Sequence, residues 1–180
     1  MNRFPNEFED LLTRKGRKIL RHGLPESPFT NKRKTPVVVI DGIINERLAQ
    51  DCMKLLNQHF SAHLKTIAGP IDKDELRNMK ENYSEKLAKT LRMQTLEIGG
   101  RRSNSFQIAT QCGLIQMLNS SSLKAFGEAV TGSTFGTPEN NQIILYRHED
   151  YVSPHNDHHP ENRKYERGIM TCTSCFLTAT

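Results

Sequence analysis

Apolar side chains recur along this chain in two rhythms, one helical and one extended. Leu48, Cys52, Leu55, Leu56, Phe60 and Leu64 follow one another at steps of three and four, which predicts an amphipathic helix. Asn45 is placed to cap it, and Glu46 sits in the first turn, where the helix dipole favours a carboxylate. Just ahead, PVVVIDG is a β-branched run closed by Asp41 and Gly42, and it predicts a buried strand. Gly69 and Pro70 end the first helix. Leu76, Met79, Tyr83, Leu87 and Leu91 then predict a second long helix, closed by Gly99 and Gly100. Ser105 to Ile108 suggests a short strand. Ser120 to Ser122 can cap a helix carrying Leu123, Phe126 and Val130 and stopped by Gly132.

Beyond the turn-rich GSTFGTPENN the rhythm becomes extended. Gln142 to Arg147 and Gly168 to Leu177 are predicted as neighbouring antiparallel strands, joined through a polar loop from His155 to Asn162. Helices first and strands last point to an α+β domain in which helices brace a sheet or sandwich.

Composition narrows the function classes. The chain of 180 residues is long enough for one domain with its own core. Its longest aliphatic run is VVVI, too short to span a bilayer, so no membrane partner is expected. The opening MNRFPNEFED has no apolar stretch to serve as an export signal, so Cys52, Cys112, Cys172 and Cys175 are expected as reduced thiols in a cytoplasmic setting. The net charge of +5 is concentrated at the front: residues 3–34 hold nine Lys or Arg against four Asp or Glu. With three prolines there, residues 1–34 are expected to form a basic, poorly packed segment with one short helix, and 35–180 the domain proper. Its clusters RKGRKILR and NKRK suit a weak, nonspecific contact with nucleic acid, without aromatic residues to stack on bases.

The candidate chemistry lies in YVSPHNDHHP. On an extended segment residues two apart share a face, so His155 and Asp157 project together. An imidazole and a carboxylate make two thirds of the facial triad that leaves iron(II) open to substrate. His158 cannot share that face, and His159 is held by Pro160. His59 and His63, one turn apart on the first predicted helix, have no third ligand nearby, and a solvated role is expected for them. Cys172-x-x-Cys175 has the spacing of half a zinc site.

The stretch ILYRHEDYVSPHND, with Tyr146 ahead of Pro154, His155 and Asp157, resembles the iron-binding segment of the 2-oxoglutarate- and Fe(II)-dependent dioxygenases, in particular their prolyl 4-hydroxylase-like branch. VVVIDGIINERLAQDCMKLL is similar to that branch's strand, turn and long helix, and the resemblance runs from Pro36 to Leu177. It implies a double-stranded β-helix (a jelly-roll) braced by helices, Fe(II) held by His155 and Asp157, and 2-oxoglutarate hydrogen-bonded by Tyr146. It further implies ascorbate support and hydroxylation of a C–H bond in a protein side chain such as proline, or in a small molecule. The family's second histidine and its Arg or Lys anchor come well downstream of the motif. Here no histidine follows His159, and Arg163, Lys164 and Arg167 do not stand at the anchor's position. The expectation is therefore an incomplete domain that binds iron weakly and turns over 2-oxoglutarate poorly. A non-catalytic interaction module and a small zinc domain built on Cys172 and Cys175 are the alternatives.

Overall fold

A computed structural model describes residues 1–24, 39–70, 90–136 and 141–152. They fall into two compact units, one holding the described parts of 1–62 and 98–141, the other those of 63–97 and 142–171. The fold is mixed: five α-helices and an open antiparallel sheet among the described residues, an α+β arrangement.

The first unit is helical. A short 3-10 helix, Phe8–Leu11, leads to α1, Arg14–His22. Thr13 caps α1, its hydroxyl oxygen accepting from the Gly16 N–H at 3.2 Å. α2, Glu46–Phe60, starts where the pattern placed it, with Asn45 Oδ1 accepting from Leu48 N–H at 3.2 Å. α3, Asn104–Gln111, is capped by Ser103, and α4, Leu114–Leu118, follows Gly113. α5, Ser121–Thr131, is capped by Ser120 and ends at Gly132 in the left-handed conformation, as the sequence predicted.

The N-terminal segment corrects one expectation. Phe4, Phe8, Leu11, Leu12 and Ile19 are buried, so residues 1–24 are packed, not a loose tail. The charge count hid this because α1 segregates its residues: Gly16 and Ile19 face inward while the cations face out. Phe8 meets Phe126 of α5 with ring centroids 5.4 Å apart in a tilted pair. Backbone bonds add to this packing. Thr13 N–H donates to Ile43 O and Asn45 N–H to Leu11 O, both at 2.8 Å, and Leu12 bridges Ile44. Glu7 supplies a further tie. Its carboxylate accepts from the Ser122 hydroxyl at 2.6 Å and from the Ser122 N–H at 3.2 Å, satisfying a free amide at the start of α5. These bonds, the hydroxyl first, hold the Glu7 carboxyl below the ordinary carboxylate value.

The second unit is built on strands: β1, Lys65–Pro70; β2, Thr90–Ile98; β3, Asn141–Leu145; and β4, Tyr151–Val152. Their order is β1-β2-β3, with β4 also pairing on β2. β1 and β2 are antiparallel in the register Lys65↔Thr95 through Pro70↔Thr90, and β4 sets Tyr151 opposite Arg92. Leu91, Met93 and Thr95 alternate onto the buried face of β2.

Four local predictions are overturned. α2 stops at Phe60, a 3-10 turn continues to His63, and Lys65–Pro70 is a strand, where Leu64 had extended the helical rhythm. Leu91 belongs to β2, not to the end of a second helix; it fitted a four-residue step from Leu87, but its own neighbours alternate with period two. Most of that predicted helix, 71–89, lies outside the described residues. Ser105 to Ile108 is helical because Ser103 accepts from Phe106 N–H at 3.1 Å and starts α3. The described end of PVVVIDG, Val39 to Gly42, is not a strand: Val39 is 78% exposed, and Gly42 at φ 69° turns the chain. Gln142 to Arg147 is a strand as far as Leu145. Gly168 to Leu177 lies outside the described residues.

Candidate functional site

The segment that approaches the His-x-Asp motif is β3, a turn, and β4. Along β3 half-buried and exposed residues alternate, Ile143 and Leu145 inward against Gln142 and Ile144. Gln142 Nε2 donates to Thr95 Oγ1 at 2.5 Å and ties this strand to β2. After Leu145 the chain leaves the sheet and turns through Arg147, His148, Glu149 and Asp150.

Asp150 organises this turn. Its N–H donates to Arg147 O at 3.0 Å, while its Oδ2 accepts from the Arg147 N–H at 2.7 Å, so one residue closes the turn from both sides. Its other oxygen, Oδ1, lies 3.5 Å from Arg92 Nε on the neighbouring strand, and the Asp150 side chain is only 8% exposed. Glu149 is held at φ 68°, a left-handed backbone that costs an L-residue on the order of 1–2 kcal/mol. The carboxylate bonds on either side offset that strain. Sequence reading missed both Asp150 and Arg92. The available signal was an aspartate three residues after Arg147, the end of the predicted strand, where its side chain can reach back to a free N–H.

Tyr146 stands between β3 and this turn. It is 47% exposed, and its hydroxyl has no hydrogen-bond partner among the described residues. β4 then returns the chain to β2 through Tyr151 and Val152, immediately ahead of Ser153, Pro154 and His155. His155 and Asp157 lie outside the described residues, as do His158, His159, Cys172 and Cys175. The structure therefore describes the approach to the motif and one of its three predicted site residues.

His59 and His63 do not form a metal pair on one helix, because α2 ends before His63. Among the described residues no group of three His, Cys, Asp or Glu side chains could hold a metal ion. Cys52 and Cys112 are both free and buried. Burial, with the nearby Asp51 carboxylate adding to it, pushes the Cys52 thiol up to about 11, and burial raises Cys112 as well. Neither thiol is set up as a nucleophile. No helix among the described residues is long and apolar enough to cross a membrane. No family model, no curated protein and no solved structure matches the chain.

Proposed function

We propose that this chain carries part of the active site of a 2-oxoglutarate- and Fe(II)-dependent oxygenase, with His155 and Asp157 as metal ligands and Tyr146 as a 2-oxoglutarate contact. The observation that supports this reading most is the path of the chain. A sheet strand is followed by a partly exposed tyrosine, Tyr146, and by a turn closed by Asp150 that leads into a second strand, and Pro154-His155-x-Asp157 comes one residue later in the sequence. The chemistry of the donor set agrees. One neutral imidazole and one carboxylate, two residues apart, suit a divalent first-row metal that must keep open positions.

In this reading His155 contributes a ring nitrogen and Asp157 a carboxylate oxygen, two donors separated by one residue in the sequence. Fe(II) supplies the centre at which 2-oxoglutarate and O₂ react to permit hydroxylation of a C–H bond, with ascorbate keeping the metal reduced. The Tyr146 hydroxyl donates to a carboxylate oxygen of 2-oxoglutarate, a charge-assisted bond worth roughly 1.5–3 kcal/mol. The finer fold that accompanies this chemistry is a double-stranded β-helix, to which the open sheet would contribute strands. A protein side chain such as proline, or a small molecule, is the proposed substrate.

Succinate release in the presence of Fe(II), ascorbate and 2-oxoglutarate tests the reading. With two motif ligands in these 180 residues, turnover is expected to be slow, and His155→Ala is expected to abolish it. Turnover that survives both His155→Ala and Asp157→Ala would refute the assignment.

A further inference from the structure

α1 is a preformed cationic face. Arg14, Lys15, Arg17, Lys18, Arg21 and His22 are all exposed, and the helix contains no acidic residue. At 3.6 residues per turn these side chains occupy an arc of about 160°, opposite the buried Gly16 and Ile19. Few counter-charges quench them. Arg21 lies 3.9 Å from Glu9 at the surface, a pairing of small value. Lys15 Nζ donates to the Asp41 carbonyl at 2.6 Å. Arg14, Arg17 and Lys18 have no partner among the described residues.

The surface also says what this face is not. None of the exposed large hydrophobic side chains among the described residues belongs to α1. A membrane-surface helix would offer such groups to the lipid, and a protein-binding helix would offer an apolar anchor. No aromatic stands there to stack on single-stranded bases. What is left is recognition of a regular array of phosphates by charge alone. Arg14 to Arg21 spans about 10 Å at 1.5 Å per residue, a length over which a duplex carries on the order of six phosphates.

We infer that the α1 face docks on the phosphate backbone of double-stranded nucleic acid, without reading sequence, through Arg14, Arg17, Lys18 and Arg21. The anchoring of α1 favours this. Its cap, its bonds to Ile43 and its buried Ile19 fix the helix before binding, so little ordering entropy opposes contact.

The test is equilibrium binding of the full chain to a labelled mixed-sequence DNA duplex across a salt series. Four phosphate contacts predict a slope of log K against log salt of about −3.6, or an affinity loss of about 150-fold between 50 and 200 mM. The triple variant Arg14→Gln, Arg17→Gln, Arg21→Gln should flatten the slope to about −0.9. Arg47→Gln, Arg101→Gln, Arg102→Gln, which removes the same charge from exposed sites elsewhere, should leave it near the original value. Equal losses in the two variants would overturn the assignment to α1. Vesicles of phosphatidylserine and phosphatidylcholine bound as tightly as the duplex would overturn the choice of partner. A slope shallower than about −1 in the unaltered chain would overturn the proposal without any variant. His155→Ala is expected to leave all of these values unchanged, so this result stands apart from the oxygenase reading.

Discussion

Residues 4–19 belong to the first unit and residues 142–152 to the second, and each stretch is held in a different way. The first stretch buries Phe4, Phe8, Leu11, Leu12 and Ile19, and its backbone and side chains bond to α5 and to the Gly42–Asn45 loop. The second buries no large apolar side chain. Ile144, Tyr146 and Tyr151 are between 43% and 50% exposed, and the segment is held by strand pairing, the Gln142 to Thr95 hydrogen bond and one aspartate. Apolar burial is worth about 25 cal/mol per Å², so the first stretch carries stability that the second cannot. The second instead holds Glu149 in a strained left-handed backbone, three residues after Tyr146.

Substitutions can break or sharpen that contrast. Phe8→Ala removes a ring that is 5% exposed and packed on Phe126, and it should cost about 3–5 kcal/mol in urea unfolding. A loss under about 1 kcal/mol would mean that the N-terminal stretch is not part of the core. Gly16→Ala comes next. Helix propensity alone would favour alanine by about 1 kcal/mol, but an added Cβ would meet Ile43 O at 2.5 Å and Leu12 Cδ2 at 3.0 Å. The backbone oxygen cannot move cheaply, so a net loss of about 1–3 kcal/mol is expected.

Glu7→Gln probes the same stretch through pH. The folded-state value of Glu7 is below its ordinary 4.5, so its contribution is complete above that value and lost as pH falls through the lower folded one. The acid limb of a melting-temperature profile should therefore be shallower in Glu7→Gln. Identical limbs would show that the Ser122 bonds carry no proton linkage. Ile144→Ser should have the smallest effect, within about 0.5 kcal/mol, since Ile144 is already 43% exposed.

How legible these regions were depends on how local their causes are. Asn45, Ser120 and Gly132 act within a single helical turn, and the sequence showed all three. Phe8 packs on Phe126 of α5 and Phe4 N–H donates to Cys112 O, partners more than a hundred residues away, and nothing in their own neighbourhood announces it. β1 and β2 were lost for a similar reason: their pairing is nonlocal, and Leu64 and Leu91 happened to extend helical spacings. In the candidate site, Tyr146, His155 and Asp157 were legible as a motif of residue types. Asp150 and Arg92 were not, because a turn closed by a side chain and pinned from another strand leaves no periodic trace.

The metal is the most direct test of the oxygenase reading. Cobalt(II), whose visible absorption reports its ligands, should bind the full chain, and His155→Ala or Asp157→Ala should each weaken binding by at least about 10–100-fold. Cys172→Ser with Cys175→Ser should leave both affinity and spectrum unchanged. Binding that survives loss of His155 and Asp157 but fails without the two cysteines, with the intense absorption of thiolate ligation, would contradict the account and point to the zinc alternative.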